Sequence, residues 1–426
     1  MGMSSKRKGD LKMKKYVVVG TGSRGYQSYI NPLVKKYTDV ATLCGVYDIN
    51  YKRAELMSEL TETDIPVYYD FDEMLEKVKP DTVIVTTKDS AHDHYVIKAL
   101  NFGCDVICEK PLTTTFEKAL AIKEARDKTG KDVTVTFNLR FNPILKALKE
   151  YVKSGIVGDV LSVHFQWMLN TVHGADYFRR WHAQKENSGS LMVHKSTHHF
   201  DLINWFLEQD PVTVNAFGTR RFYGEGAHEP HGEKCRTCQY KDSCEYPMVE
   251  DAMLDKLYYN CEDVDGYLRD KCIYSPDIDI EDTVSVNVKY SGGTVMSYSL
   301  TAHSPIEGYN IILNGSKGRL EFTNITTPDK NYVTINQPPV FKVYTRDGQV
   351  LEPELPKPEQ TGHGGADDRL RDNLFRGYES DELGQMADVE SGMMSIGIGM
   401  AANVSMAEGR SVNLSEFYGD LKKYAK

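Results

Sequence analysis

No uninterrupted apolar run in the 426-residue chain approaches the roughly 20 residues needed to cross a membrane. Positive charge is not in excess either, because 61 acidic residues outnumber 51 basic ones and give a net charge of -10. A large nucleic-acid surface is therefore disfavoured. The basic start, MGMSSKRKGDLKMKK, is followed by no apolar segment of signal-peptide length, and we predict a disordered tail over residues 1–13.

The eight cysteines are not spaced like the disulfide framework of a small secreted protein. Cys44, Cys104 and Cys108 lie in apolar, strand-like runs, where a buried thiol is the simplest interpretation, and the other five fall between residues 235 and 272. These positions favour a reduced, cytoplasmic setting. The length and the 40% apolar composition predict a soluble protein of two domains, possibly with an inserted subdomain.

The run KYVVVGTGSRG is a β-branched, strand-like stretch that ends in a G-x-G-x-x-G motif. Gly20 permits a tight turn, Gly22 lets a pyrophosphate approach the backbone, and Gly25 allows close packing of a helix whose N–H groups face the anion. The next strand-like run ends at Asp48, the usual position of a carboxylate that binds the ribose diol. We predict NAD rather than NADP, although Arg53 is near enough to weaken that preference. A structural glycine turn is the alternative.

Strand-like runs continue to alternate with helical segments, in DTVIVTT, CDVICEKPL and DVTVTFN. This alternation predicts a parallel, doubly wound sheet, in which ligands bind at the carboxyl ends of the strands. The residues that we expect at the cofactor are Gly20, Gly22, Ser23, Arg24, Gly25, Asp48, Thr86, Thr87, His92, Glu109, Lys110 and Asn138.

The motifs GTGSRG, TTKDSAH, CEKPL and FNLRFNP occur in the order typical of the Gfo/Idh/MocA (glucose–fructose oxidoreductase / inositol dehydrogenase) family. The chain resembles this family from about residue 14 to about 410. The resemblance implies an NAD-binding Rossmann domain over 14–137 and a C-terminal α/β domain over 138–426. The second domain would carry an open, mostly antiparallel sheet that binds substrate on one face and forms a homodimer or homotetramer.

In that family the lysine of E-K-P, here Lys110, lies beside the nicotinamide and the reacting carbinol, and the proline, here Pro111, often follows a cis bond. A lysine on a surface turn is the alternative. The family's second signature places a histidine at His198, an aspartate at Asp201 and a further aspartate at the position of His194. Spacing of i, i+4 and i+7 predicts that these three share one face of a single helix.

Hydride transfer from a carbinol needs a base within hydrogen-bond reach of the hydroxyl. We predict that His198 is this base, because the pKa of histidine is near neutral, and that Lys110 orients the hydroxyl and stabilises the alkoxide. Asp201 would orient or charge-balance the helix, and His194 would relay a proton or bind substrate. Lys195 and His199 are expected to face away. A catalytic metal on His194 and His198 is the alternative, as is a purely structural polar helix.

The segment NTVHGADYFRRWHAQ concentrates aromatic and charged residues just before these histidines. Aromatic faces stack on sugar C–H surfaces and charged groups bind hydroxyls, and two arginines also permit an acidic sugar or a phosphate. The alternative is a solvated interdomain loop. The predicted substrate residues are Tyr177, Arg179, Arg180, Trp181 and His182.

An insertion over about 224–278 carries Cys235, Cys238 and Cys244 in C-x2-C-x5-C spacing, with Cys261 and Cys272 further on. We predict a structural zinc site with Cys272 as the fourth ligand. An iron–sulfur cluster, or free or disulfide-bonded cysteines, are the alternatives.

The remaining chain indicates a hairpin over DTVSVNVKYSGGTVMSYSL, further strands, a loop that could bring His363 to the cleft, and a helix of small residues near the end. The overall prediction is an NAD(P)-dependent oxidoreductase that acts on a secondary alcohol of a sugar, glycoside or cyclitol. The alternative is an NAD-dependent glycoside hydrolase that oxidises C3 transiently and eliminates the aglycone.

Overall fold

The structure is a computed structural model that describes residues 13–226, 231–248, 251–328, 334–357, 359, 362–377 and 381–424. The predicted tail over 1–13 lies outside the described residues, apart from Met13. Among the described helices, none has the length and apolar character needed to cross a membrane.

The first six strands form one parallel sheet in the order β3-β2-β1-β4-β5-β6. Their bounds are β1 Lys14–Val19, β2 Ala41–Tyr47, β3 Val67–Tyr68, β4 Thr82–Val85, β5 Asp105–Cys108 and β6 Val133–Val135. The helices between them are Ser23–Gly25, which continues through a π-helical segment Tyr26–Ile30 into Asn31–Lys35, then Tyr51–Thr61, Phe71–Val78, His92–Phe102 and Phe116–Thr129. The predicted doubly wound sheet is therefore confirmed.

This sheet follows from its sequence in two ways. The central strands are β-branched and apolar on both faces, and Val17, Val18 and Val19 are fully buried beneath helices on either side. The helices Phe71–Val78 and Phe116–Thr129 begin where the side chain of the preceding residue, Asp70 or Thr115, accepts a hydrogen bond from the first turn.

The remaining ten strands form a second sheet in the order β15-β14-β12-β11-β7-β10-β9-β8-β16, with β13 paired to β12. Only the pair β7–β10 is parallel within this described sheet, so the predicted mostly antiparallel sheet is confirmed. The bounds are β7 Val160–Asn170, β8 Pro211–Thr219, β9 Thr283–Tyr290, β10 Val295–Ser304, β11 Glu307–Gly315, β12 Gly318–Pro328, β13 Thr334–Asn336, β14 Val340–Thr345, β15 Val350–Leu351 and β16 Val412–Asn413.

One face of this sheet carries helices and the other is open, as the strict alternation of exposed and buried residues along β9 shows. The α-helices of this half are Pro143–Lys153, Thr171–Arg179, Lys185–Ser188, Leu191–His194, Thr197–Leu207, Ala252–Leu257, Glu262–Asp265, Ala366–Arg376, Val389–Glu408 and Ser415–Tyr418. The predicted small-residue helix is the one over Val389–Glu408. A Cβ on its Gly399 would lie 2.4 Å from the carbonyl oxygen of Met192, so glycine lets this helix support the histidine segment closely.

Candidate active site

A cavity of about 950 Å³ lies between the carboxyl ends of β1, β2 and β4 and the helix-bearing face of the second sheet. Of the predicted cofactor residues, only Gly25 does not line this cavity. The residues that do line it are Gly20, Gly22, Ser23, Arg24, Asp48, Thr86, Thr87, His92, Glu109, Lys110 and Asn138. The predicted catalytic residues Lys110, His194 and His198 line the same cavity, and so does His363.

The glycine-rich turn has the geometry that a dinucleotide needs. Gly20 has a φ of +92°, and a Cβ there would lie 2.7 Å from the backbone of Thr86. A Cβ on Gly25 would lie 2.2 Å from the carbonyl oxygen of Gly20. Gly25 therefore serves the packing of helix on strand, outside the cavity, whereas Gly20 and Gly22 line the cavity.

Asp48 lies at the end of β2 and its carboxylate is held by backbone groups. It accepts hydrogen bonds from the N–H groups of Thr21 at 2.7 Å and of Asn50 at 2.8 Å. Arg53 pairs with Asp48 at 3.3 Å and also with Asp265 of the insertion. The guanidinium that could have favoured a 2′-phosphate is therefore bound between two carboxylates.

The E-K-P turn after β5 is fixed by buried polar contacts. Glu109 accepts hydrogen bonds from Arg24 Nε at 2.8 Å and from the Tyr29 hydroxyl at 2.6 Å. His92 Nδ1 lies 2.8 Å from the carbonyl oxygen of Pro111, and the Lys110–Pro111 bond is cis, as predicted. These contacts leave the Lys110 side chain directed into the cavity.

A second buried carboxylate, Asp367, supports the same turn from the C-terminal half. It accepts from Arg24 at 3.2 Å and from Asn138 Nδ2 at 2.9 Å, and it pairs with His363 Nδ1 at 2.8 Å. Although burial opposes ionisation, the contacts with His363 and Arg24 hold the pKa of Asp367 far below its usual value. His363 thus reaches the cleft as a hydrogen-bonding partner of Asp367.

The histidine stretch does not form the predicted single helix. It forms two, Leu191–His194 and Thr197–Leu207. The Ser196 N–H bonds back to the carbonyl of Leu191, and the Ser196 hydroxyl bonds the Tyr298 hydroxyl at 2.9 Å, which turns the chain between the helices. His194 and His198 both reach the cavity in spite of this break.

His194 is paired with a carboxyl group that the sequence analysis did not single out. Its Nδ1 lies 2.5 Å from Asp89 Oδ2. Burial raises the pKa of Asp89, and burial together with the neighbouring Lys110 ammonium lowers that of His194. A neutral imidazole is therefore favoured. Lys110 Nζ donates to the carbonyl oxygen of His194 at 3.1 Å, and burial lowers the pKa of Lys110 although Asp89 opposes the shift.

His198 lies at the cavity wall, with Phe137 edge-on at 6.1 Å between ring centroids. Its Nδ1 is buried and, within the part of the chain that the structure describes, makes no hydrogen bond. Burial and the charges of Lys110 and Lys195 lower the pKa of His198 well below its ordinary value. The imidazole is thus neutral at neutral pH, which is the form that can accept a proton.

Asp201 does not line the cavity. Its two carboxylate oxygens accept from Arg140 Nη2 at 2.6 Å and from Arg140 Nε at 2.8 Å, in a pair whose side chains are 3% and 2% exposed. The ion pair agrees with the predicted role of Asp201, to orient or charge-balance the helix. Its place among the catalytic residues is corrected, because the carboxylate faces Arg140 outside the cavity and does not contact the reacting groups there.

The prediction that Lys195 faces away is also wrong. Lys195 lines the cavity, with its ammonium 5.1 Å from the centre of the Trp167 ring. The Lys195 ammonium makes no hydrogen bond with a described residue. Burial lowers the pKa of Lys195 to about 8, with Glu307 opposing and Lys110 adding to the shift. His199 does face away, since its Nδ1 bonds the Tyr298 hydroxyl at 2.7 Å.

Of the predicted substrate residues, Tyr177, Arg180, Trp181 and His182 line the cavity and Arg179 does not. Arg179 is the last residue of the helix Thr171–Arg179. Its side chain points away from the cavity and donates to Cys235 Sγ at 2.9 Å. The helix ends between the two arginines, which sends their side chains to opposite sides. Trp181 stacks on His182 at 3.7 Å between centroids, and that histidine lies 4.0 Å from His194.

The cysteines of the insertion meet at a separate small cavity of about 70 Å³. Cys235, Cys238, Cys244 and Cys272 all line it, and Cys261 does not. All four thiols are free. Within the described residues, no three histidine, cysteine or acidic side chains are already spaced as ligands of one metal ion.

Comparison with known proteins extends these observations. A family model described as the NAD-binding Rossmann fold of the Gfo/Idh/MocA oxidoreductase family matches residues 14–137, and its C-terminal alpha/beta domain matches residues 149–414. A Bacillus subtilis (strain 168) protein named as oxidoreductase YteT is 36% identical over 432 residues, which cover 95% of this chain and 99% of that protein. The inositol 2-dehydrogenase/D-chiro-inositol 3-dehydrogenase of Lacticaseibacillus casei is 28% identical over 217 residues, which cover 50% of this chain and 59% of that protein.

Solved structures show the same fold. An Agrobacterium radiobacter oxidoreductase in complex with NAD+, L-tartaric acid and magnesium is 16% identical with a TM-score of 0.64, over 95% of this chain and 99% of that one. The WlbA dehydrogenase of Bordetella pertussis, in complex with NADH and UDP-GlcNAcA, is 17% identical with a TM-score of 0.63, over 94% and 99%. At these identities the likeness concerns the fold alone.

Proposed function

The chain belongs to the Gfo/Idh/MocA oxidoreductase family, and we propose that it transfers hydride between NAD and a secondary alcohol of a sugar, glycoside or cyclitol. One observation carries this proposal. The glycine-rich turn and Asp48 share a single cavity with Lys110, His194 and His198, so a bound dinucleotide and the groups that handle a proton would meet there. The inositol dehydrogenase among the relatives supports the substrate class.

NAD, when bound, supplies the hydride acceptor, and the residues of the chain supply the rest. His198, kept neutral by burial and by two neighbouring ammonium groups, is placed to accept the hydroxyl proton. Lys110 is placed to donate a hydrogen bond to the hydroxyl oxygen and to stabilise its developing negative charge. The His194 imidazole, held by Asp89, is placed to bind a neighbouring hydroxyl or to relay the proton. Tyr177 and Trp181 offer aromatic faces to the sugar ring.

A substrate screen that records NADH absorbance tests this function. We expect a polyol or sugar to reduce NAD, and NADP to be used less well, because Asp48 and Asp265 hold Arg53 away from a 2′-phosphate. The Asp48→Ala variant should narrow the difference in activity between NAD and NADP. Equal use of NAD and NADP by the unaltered protein would contradict the assignment of Asp48. A cleaved glycoside without accumulated NADH would identify a glycoside hydrolase instead.

Among such substrates, one that carries a carboxylate fits the cavity best. The Lys195 side chain is half-buried in the cavity wall, its ammonium makes no hydrogen bond with a described residue, and Lys110 lowers its pKa although the Glu307 carboxylate opposes this shift. A cation that is partly removed from water favours a bound ligand of opposite charge. Lys195 therefore favours an acidic sugar over its neutral counterpart.

The Lys195→Met variant tests this preference. A buried charge-assisted hydrogen bond contributes about 1.5–3 kcal/mol, so kcat/KM for a sugar acid should fall about 10–150-fold while the neutral sugar changes little. Because the pKa of Lys195 is lowered to about 8, the ammonium is present below this pH. The preference for the acid should be lost as pH rises through about 8, and the variant should not show this loss. An equal effect on both sugars would refute the role of Lys195.

We also propose that Cys235, Cys238, Cys244 and Cys272 bind a structural zinc ion. They line one cavity, and N–H groups already face three of the sulfur atoms. Arg179 donates to Cys235, and the backbone N–H groups of Tyr246 and Tyr274 donate to Cys244 and Cys272 at 3.4 and 3.5 Å. Hydrogen-bond donors of this kind hold metal-binding side chains in place. The four cysteine side chains would have to move closer together to bind one ion.

Elemental analysis of the purified protein should find about one zinc per chain. A Cys235→Ser/Cys238→Ser variant should lose the zinc and unfold at a lower temperature, because the insertion has little apolar core of its own. Iron with visible absorbance would identify an iron–sulfur cluster. A metal-free protein of unchanged stability would show that the thiols are free.

Assembly into a homodimer or homotetramer through the open face of the second sheet is the remaining part of the proposal. Two large apolar side chains on this face, Phe217 of β8 and Val295 of β10, are 71% and 51% exposed. Apolar groups on an open sheet are typical of an interface between subunits. A monomeric mass in solution would contradict it.

A further inference from the structure

The insertion between β8 and β9 reaches the glycine-rich turn of the N-terminal sheet. The hydroxyl of Tyr258 accepts a hydrogen bond from the Ser23 N–H at 2.9 Å and donates to Ser23 Oγ at 3.0 Å. A Cβ on Gly22 would lie 3.1 Å from the same hydroxyl. Backbone N–H groups of this turn bind the pyrophosphate of a dinucleotide. Tyr258 therefore occupies a donor that a bound pyrophosphate needs.

The contact is part of a larger interface. Leu257 and Tyr258 are buried in one apolar cluster with Tyr29 and Ile30 of the N-terminal half. Four polar contacts join the same segment to the helix Tyr51–Thr61 and the residue before it: Asn50 Nδ2 to the Cys261 carbonyl at 2.8 Å, Lys52 to Asp263 at 2.7 Å, Lys256 to Glu59 at 2.7 Å, and Arg53 to Asp265. This segment therefore packs specifically along the edge of the dinucleotide site.

The same segment is bound on its other side to the cysteine-bearing part of the insertion. Glu262 pairs with Lys234 at 3.1 Å and with Arg236, the two residues that flank Cys235. Tyr258, Asp265 and Tyr267 line the large cavity together with the glycine-rich turn. The insertion thus forms an outer wall of the cavity.

We propose that residues 251–269 form a cover over the dinucleotide site, and that Tyr258 controls cofactor entry. Its hydroxyl must leave the Ser23 N–H before a pyrophosphate oxygen can take that donor, so NAD binds when the cover lifts. This inference rests on the proposed binding of NAD. It assigns to the insertion a role in cofactor exchange, in addition to any role of its cysteines in stability.

The full-length Tyr258→Phe variant tests the inference, because it removes the hydroxyl and keeps the ring in the apolar cluster. Mixing protein with NADH in a stopped-flow instrument and following NADH fluorescence gives the association rate constant. We expect it to rise about 2–10-fold, the range set by the loss of one neutral hydrogen bond. Tyr259→Phe is the matched control. Its hydroxyl bonds Met248 Sδ at 3.4 Å, and the association rate should not change.

A second variant tests the cover independently, in case Tyr258→Phe folds poorly. Asp263→Asn removes the exposed ion pair of the cover with Lys52, and the association rate should rise by a smaller factor. Rates in Tyr258→Phe equal to those of the control would overturn the inference. Slower association would overturn it too, because Tyr258 would then be a ligand of the cofactor. Failure of the unaltered protein to bind NADH would refute the proposed cofactor, and this inference with it.

Discussion

The His198→Ala variant is expected to lose about 10²–10⁴ in kcat while it binds NAD as tightly as the unaltered protein. His198 lines the cavity near Lys110, and burial with two neighbouring cations keeps its imidazole neutral and able to accept a proton. Removing a general base raises the barrier of the chemical step by about 3–5 kcal/mol. Steady-state kinetics with saturating substrate, together with an NADH titration, separates this effect from weaker cofactor binding.

Three further variants rank the effect of losing His198 on kcat against the effects of losing neighbouring residues. Lys110→Ala should be comparably damaging, because it removes the positive charge beside the developing alkoxide. His194→Ala should be milder, since its Nδ1 is already bonded to Asp89. His199→Ala should change kcat least but lower the free energy of unfolding by about 1–3 kcal/mol, because it leaves the buried Tyr298 hydroxyl without that partner.

Two results would contradict this order. If His199 proved essential to turnover and His198 did not, the assignment of the cavity-facing histidine would be wrong. If chelators abolished activity and only added metal restored it, His194 and His198 would be ligands of a catalytic metal.

Local patterns were sufficient to predict the N-terminal sheet and to bring most of the expected cofactor residues to one edge of it, whereas the open second sheet was implied by the family resemblance. The N-terminal strands are short, β-branched runs that end in glycine or polar residues, and the ends of parallel strands meet at one edge whatever lies between them. Gly20, Asp48 and Lys110 could therefore be placed in one site from their positions in the sequence. Their convergence in the cavity follows from that topology.

Contacts between distant segments could not be predicted in this way. Asp89 meets His194 across 105 residues and Tyr258 meets Ser23 across 235, and neither pair shares a local pattern. An acidic residue shortly after the end of β4 was the available signal for Asp89, because strand ends carry the functional groups of this fold. The insertion offered no comparable signal, since its tyrosines resemble those of any loop.

Helix periodicity failed where a helix is interrupted. Spacing of i, i+4 and i+7 placed His194, His198 and Asp201 on one face, but the turn at Ser196 separates the first from the other two. The same turn brings Lys195 into the cavity. Side-chain contacts with Tyr298 and Arg140 decide this arrangement, and both partners are remote in sequence.

The ion pair of Asp201 with Arg140 leads to the second large effect. Both side chains are almost completely buried, at 3% and 2% exposure, and the carboxylate accepts two hydrogen bonds from the guanidinium. Asp201→Asn leaves a buried arginine without a counter-charge, which typically lowers the free energy of unfolding by about 3–5 kcal/mol. Urea unfolding followed by circular dichroism measures this loss.

A double variant shows whether the loss of stability comes from breaking the ion pair between Arg140 and Asp201. Arg140→Met/Asp201→Leu removes both charges and replaces them with apolar side chains, so it should be more stable than either single variant, because no buried charge is left unpaired. If Asp201 instead acted on substrate, Asp201→Asn would lower kcat without lowering stability, and the double variant would recover nothing. Recovery of stability in the double variant would therefore assign Asp201 to the support of the second histidine helix, Thr197–Leu207, from which His198 reaches the cavity.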